Sequence, residues 1–536
     1  MYFHLLAKIL QKISKIILTY GQYYVIVLET LRIHDREMIG VDQYLIGIDV
    51  GTTGTKSMLF SDSGRIISHA YTDYPSQMPG TGRVEQNAED WWHAVVRTVR
   101  AITADPQTAK NVVAISLSLQ GGTFVPVDRQ LRPLQPAIVW SDKRCERQRQ
   151  DFAQALGQDY IYQKTGWHLG SGLNMLQIAW FRENRPDLFE KTSLFLSVPD
   201  YISLRMTGRP VVDISDAGIN QLADIRTGRY DASILDYIGV TADRLPEIVP
   251  SGTPVGRLLK SAAEELGLPR SVLLVAGAHD QYAALLGAGI TQTGDIMIGT
   301  GTAWVVTALT DEPYFESGFN QSIPASGKWG SLISLSTGGV CLDWFKNSVA
   351  GSSTAGMSYA EINELASQRL AGVGGLRFYP YFTGTSFSLK GQHCKATFVG
   401  LDLSHDRVDI ARAVMEGVAM QTVWTLDFFR ERFPLKVVKL SGGAGKAPLW
   451  VRMVSNIANC PISVPLVNDL TCVGAGILAG VGAGLFASCE EGAGRFRVDQ
   501  TLYEPDPAQV ERYAEVFEDF KRRALRLPDL YNPVRD

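Results

Sequence analysis

The stretch Leu45-Ile-Gly-Ile-Asp-Val-Gly-Thr-Thr-Gly-Thr-Lys56 restricts what this chain can become more than any other. Leu45 to Val50 is a short apolar run broken by Gly47 and marked near its end by Asp49. Gly51 and Gly54 enforce a tight turn among Thr52, Thr53 and Thr55, after which Ser57 to Phe60 resumes the apolar run. Ser61-Asp-Ser-Gly64 turns again, and Ile66 to Ala70 reads as a further strand. The pattern predicts a β-hairpin with a glycine- and hydroxyl-rich tip and an acid at its base. Glycines let backbone N–H groups approach an anion closely. Thr hydroxyls and Lys56 add donors, and Asp49 is placed to hold Mg²⁺, because hard cations take oxygen ligands. Such a tip suits a nucleotide's phosphates, although it is not a Walker A loop. Taken alone, Gly-Thr-Thr-Gly is equally an ordinary tight turn.

The same design returns at Ile296-Met-Ile-Gly-Thr-Gly-Thr-Ala-Trp304, with an apolar run on either side of Gly-Thr-Gly. Two hairpins of one kind, each opening its half of the chain, suggest a duplicated domain closing on one nucleotide. A third glycine turn, Ser441-Gly-Gly-Ala-Gly-Lys446, follows a strand and leads into a helix expected over Pro448–Ala458. Between these landmarks strands and helices alternate, which argues for an α/β protein. Trp91, Val95, Val99 and Ile102 form a stripe at helical spacing, so the tryptophans there read as core. The domain boundary is expected near Gly287–Gly294.

A chain of 536 residues has core enough for two or more domains. Its formal charge of -4 offers no electrostatic case for nucleic acid or an anionic membrane. The six cysteines, Cys145, Cys341, Cys394, Cys460, Cys472 and Cys489, show no metal spacing and read as free thiols of a reducing cytoplasm. Residues 1–43 form an N-terminal extension. Its apolar segment, Ile13–Leu31, is interrupted at Gly21-Gln22 and too short to span a bilayer cleanly. Met38 or a nearby codon is the expected start, with the residues before it a loose tail or an annotation artefact.

The motifs together resemble the FGGY family of carbohydrate kinases, within the actin/sugar-kinase/Hsp70 fold. The resemblance runs over residues 44–530. It rests on Asp49–Lys56, Val84–Trp92, Pro136–Arg144, Gly277-Ala-His-Asp-Gln281, Gly299-Thr-Gly-Thr302 and Ser441-Gly-Gly-Ala444 in this order. It implies two ribonuclease H-like domains with a nucleotide and sugar cleft between them: a sugar-binding domain over 44–290 and an ATP-binding domain over 291–536. The implied reaction is ATP-dependent phosphorylation of a sugar or polyol hydroxyl with Mg²⁺. The implied partner is a small-molecule sugar, with no nucleic acid or membrane, and a homodimer is compatible with the family.

Phosphoryl transfer needs positioning, charge neutralisation and a carboxylate to take the hydroxyl proton. Asp280 follows a buried-type strand and opens a helix, a place where α/β sheets put active sites. An N-cap aspartate fits the same position; the resemblance favours the base. His279 reads as structural. Thr52, Thr53, Gly54 and Lys56 are expected along one side of the phosphates, Thr300 and Gly301 along the other. Gly339, Gly442, Gly443, Ala444 and Lys446 are expected along the nucleotide, and Asp49 at the metal.

For the sugar, the resemblance points to Gln120, Gly121, Gly122, Asp280 and Gln281. Xylulose kinases of this family carry Gln-Met-His-Gly where this chain has Gln120-Gly121-Gly122-Thr123, so the glycine pair is expected to leave the sugar pocket open. Pro136–Arg144 and Asp213–Asp216 look xylulose kinase-like, whereas Gln281 resembles the glycerol-kinase type. A ketopentose is the first expectation; another polyol, a sugar acid or a larger ketose is the alternative. Two other classes compete: a catalytically inactive, nucleotide-gated sugar-binding regulator, which an intact Asp280 opposes, and an Hsp70- or actin-like ATPase, which lacks its further domains here.

Overall fold

In the computed structural model, residues 42–316, 318–335, 337–349, 357–384 and 394–531 are described. The expectations for residues 1–41, including a start at Met38, lie outside them.

Strand β1 (Tyr44–Val50) is buried along nearly its whole length, as its largely apolar run leads one to expect. It pairs antiparallel with β2 (Gly54–Ser61), and β2 with β3 (Ile66–Asp73), whose alternating exposure marks a sheet edge. Helix α1 (Ala88–Ile102) is capped by the Asn87 side chain and buries Trp91, Trp92, Val95, Val99 and Ile102 against this meander. Strand β4 (Val112–Leu119) then runs parallel to β1. Among the helices that follow are α2 (Gln158–Thr165) and α3 (Ile214–Ile219). Strands β5 (Pro254–Arg257) and β6 (Leu273–His279) complete a six-stranded sheet ordered β5-β6-β4-β1-β2-β3, with β6 parallel to β4 and β5 antiparallel to β6. Helix α4 (Asp280–Gly287) begins on the residue after β6.

The second half repeats this plan. Strands β7 (Ile296–Thr300), β8 (Trp304–Thr310), β9 (Asn320–Ser322) and β10 (Trp329–Leu335) form an antiparallel set. Helices α5 (Gly339–Trp344), α6 (Tyr359–Ser367) and α7 (Arg407–Arg430) pack beside it. Strand β11 (Val438–Gly442) is parallel to β7; helix α8 (Pro448–Ala458), strand β12 (Ile462–Pro465) and, beyond a glycine-rich helix, β13 (Gln500–Tyr503) follow. The order β9-β10-β8-β7-β11-β12-β13 matches the first sheet strand for strand in sense, with β9 added at one edge. The fold is the duplicated α/β architecture expected from the sequence.

That glycine-rich helix, α9 (Leu470–Gly482), comes late in the chain yet packs on the first sheet beside α4. Its glycines explain how closely. A Cβ at Gly474 would lie 1.9 Å from the Ala283 carbonyl oxygen, and one at Gly287 would lie 2.0 Å from that of Leu470. The two helices therefore cross backbone to backbone, which only residues lacking a side chain permit. Gly47 of β1 makes a third such approach, to the Cys472 carbonyl.

Candidate active site

Asp49 sits near the end of β1, opposite Lys56 in the hairpin register. It is 9% exposed, accepts a hydrogen bond from the Thr471 hydroxyl at 3.0 Å, and is pushed up to about 7, by burial first and by the charge of Asp280 second. A carboxylate kept in such surroundings suits a cation ligand more than a stabilising role. Lys56, expected to face phosphates, has its ammonium on Asp469, 2.8 Å away at the start of α9. Asp469 and Thr471 were not picked out from the sequence; the one signal was an acid and a hydroxyl directly before a glycine-rich helix.

The hairpin tip is braced from below. Gln86 donates to the Thr52 carbonyl at 2.6 Å, and Trp140 donates to the Thr52 hydroxyl at 3.1 Å. The Thr53 carbonyl accepts from the Tyr74 backbone, and a Cβ at Gly54 would meet the Thr72 carbonyl at 2.6 Å.

In the second half, the two glycine turns meet. The Thr300 hydroxyl donates to the Ser441 carbonyl at 2.6 Å and accepts from the Ala444 N–H at 3.0 Å. Its oxygen is thus spent on joining the turns. Gly339 N–H donates to the Gly301 carbonyl, and a Cβ at Gly339 would stand 2.6 Å from that oxygen. Around this junction opens a cavity of about 310 Å³. Thr300, Gly301, Gly339, Gly443 and Ala444 line it, together with Asp343, Tyr359, Asn363, Met415, Ala447 and Trp450, which the sequence did not single out. These extra residues come from α5, α6, α7, α8 and the residue before α8, whose local sequences carry no ligand signal. Gly442, Lys446, Thr52, Thr53, Gly54 and Lys56 are not among the lining residues. Lys446 is exposed at the end of the short turn Gly443–Lys446.

Asp280 is the first residue of α4, at the carboxyl end of β6, with its side chain 38% exposed and Oδ1 buried without a hydrogen-bond partner. Its neighbour Gln281 reaches the base of the second hairpin; a Cβ at Gly299 would lie 3.7 Å from Gln281 Oε1. Gln120 is 3% exposed and donates to the Gly51 carbonyl at 3.3 Å and to Gln86 at 3.2 Å, so its amide nitrogen holds the hairpin and only Oε1 is uncommitted.

The glycine pair does not leave open space. A Cβ at Gly121 would meet Ile219 at 2.7 Å and the His279 ring at 2.9 Å. Gly122 has φ +74 and is closed in by Leu173 and Trp140. The room that larger residues would take here is filled from α3, from the end of β6 and from the loop at Leu173, elements far away in the chain.

Residues 44–287 match the model for the FGGY family of carbohydrate kinases, N-terminal domain, and residues 295–483 match that for its C-terminal domain. A xylulose kinase of Bacillus subtilis is 29% identical over 92% of this chain and 99% of its own length. A gluconokinase of the same organism is 27% identical over 83% of this chain and 88% of its own. Among solved structures, a xylulose kinase from Rhodospirillum rubrum superposes with a TM-score of 0.83 at 23% identity, over 91% of this chain and all of that one, a likeness of fold.

Proposed function

The chain belongs to the FGGY family of carbohydrate kinases, and from that premise we propose that it phosphorylates a ketopentose with Asp280 as general base. The activity at the coarser level, ATP-dependent phosphorylation of a sugar or polyol hydroxyl, follows from the family. The observation that carries the assignment to Asp280 is its position: a partly open carboxylate at the carboxyl end of β6 and the N-terminus of α4, close enough to raise Asp49. In this reading the nucleoside lies in the cavity at Gly443 and Ala444, and its phosphates run past Gly301 toward the first hairpin. The sugar oxygen attacks the γ-phosphorus while its proton passes to Asp280. The bond from that phosphorus to the bridging oxygen breaks, and ADP leaves.

The donor set fits a divalent cation. Asp49 is a hard oxygen ligand whose burial and acidic neighbour, Asp280, disfavour bare charge. When bound, Mg²⁺ supplies neutralisation of the phosphate charge. Lys56 would exchange some of its contact with Asp469 for the phosphates.

Support for a ketopentose comes from relatives described as xylulose kinases, the B. subtilis protein among them. A sugar acid is the second reading, favoured by the gluconokinase match. No helix among the described residues is long and apolar enough to cross a membrane. The six cysteines, none paired, support a reducing cytoplasm as the setting. ADP release measured against D-xylulose, L-xylulose, D-ribulose, gluconate and glycerol tests the proposal. The highest kcat/KM on a ketopentose is expected; a preference for gluconate would replace it with the second reading.

A further inference from the structure

We infer that His279 is a positioning residue for Asp280, and that Gly121 is a glycine because the imidazole needs its space. This rests on the reading of Asp280 as the base.

The ring is buried and held from several sides. Its backbone N–H donates to the Ser215 hydroxyl at 2.9 Å, and Ser215 in turn donates to Asp213, the cap of α3. Trp167 and Tyr282 stand with ring centroids 5.9 Å away, Trp167 edge-on and Tyr282 tilted against it. Cδ2 faces Gly121, where any Cβ would come within 2.9 Å. These contacts aim Nε2 at Asp280 Oδ1, 3.4 Å away. That is long for a hydrogen bond, in the range that tightens when substrate fills a site. Neither Asp280 Oδ1 nor His279 Nδ1 has another partner among the described residues.

The arrangement divides the work of the carboxylate. Oδ1 is buried against the imidazole, while the side chain as a whole is 38% exposed, so its open face is the Oδ2 side. Through an Nε2 proton the imidazole donates to Oδ1, fixes the rotamer of Asp280, and leaves Oδ2 directed at the substrate hydroxyl. Imidazole and carboxylate occupy successive residues at a strand-to-helix junction, where β6 carries one and the first turn of α4 the other. The sequence-level reading of His279 as structural thus becomes a role exerted through Asp280. Gly121, expected from the sequence to open the sugar pocket, instead leaves the space that the imidazole beside the base occupies.

Five variants, Asp280→Asn alone among them, test this. His279→Leu removes the donor. His279→Gln can place an amide N–H near the Nε2 position, whereas His279→Asn reaches only as far as Nδ1. Single-turnover and steady-state rates are measured for each, and for His279→Leu combined with Asp280→Asn, with thermal melts to confirm folding. His279→Leu is expected to lower kcat by about 10–100-fold, the usual scale for losing a supporting partner, with KM for ATP unchanged. His279→Gln should recover most of that loss and His279→Asn should not, which decides the matter even where the leucine variant folds poorly. In the Asp280→Asn background the leucine should add less than about twofold, because residues that act through one another are not additive. An equal loss in both backgrounds, or an asparagine variant as active as the glutamine one, would overturn the inference. Near-normal turnover of Asp280→Asn alone would instead remove the base reading on which it stands.

Discussion

Replacing Asp49 by Asn should make the metal-free protein more stable at neutral and alkaline pH while abolishing its activity. Burial and the neighbouring charge of Asp280 push the Asp49 carboxyl up to about 7 in the folded chain, from an ordinary value of 3.8. The folded state therefore holds this proton more tightly than the unfolded state does. Its stabilising contribution is complete below about pH 4 and is lost as pH rises through about 7. The gap of about three pH units corresponds to roughly 4 kcal/mol at about 1.36 kcal/mol per unit. Asparagine does not titrate, and its carbonyl can still accept from Thr471. Local relaxation around a charged Asp49 lowers the gain, so about 1–4 kcal/mol above pH 8 is expected. Urea unfolding of both proteins in EDTA, at intervals from pH 5 to pH 8.5, reads it directly. The variant's advantage should grow with pH and level off above neutrality. A constant difference across that range, or one that shrinks, would refute the reasoning. Growth of the difference joined to loss of turnover would mean that the carboxylate is kept for function at the expense of stability.

Gly474→Ala would place a methyl group 1.9 Å from the Ala283 carbonyl oxygen. It should destabilise the protein by about 1–3 kcal/mol, seen as a lower urea midpoint at unchanged slope. Gly121→Met with Gly122→His, which the sequence alone recommends for sharpening xylulose preference, should fail to fold stably, because Ile219, His279 and Leu173 fill the space and Gly122 has φ +74. A stable double variant with a narrowed substrate range would show that the pocket is open after all. Ala444→Phe, in the wall of the nucleotide cavity, should raise KM for ATP by about tenfold or more and leave KM for the sugar unchanged.

The sequence made the architecture legible because its signals were local. Apolar runs ending in Gly-Thr turns at residue 51 and residue 299 mark two hairpins of one design, and both sheets are built outward from them. The place of Asp280 between strand and helix was legible for the same reason, since a buried strand, a small turn and an acid at a helix start lie within one short segment. What escaped notice depends on contacts between distant segments. Asp469 meets Lys56 only because α9 returns from late in the chain to lie on the first sheet. Asp343, Tyr359 and Asn363 reach the cavity at Gly443 and Ala444 from helices whose own periodicity says nothing of a ligand. The glycine pair was misread because the residues that fill its space lie at positions 173, 219 and 279.

The most direct test is product formation by the purified protein and by Asp280→Asn, with ATP and Mg²⁺, in the presence and absence of a ketopentose. The account predicts sugar-dependent release of ADP matched by an equal amount of phosphorylated sugar, and a fall of about 10²–10⁴-fold in the variant with ATP binding retained. ADP released at the same rate without sugar, or near-normal sugar phosphorylation by the variant, would contradict it.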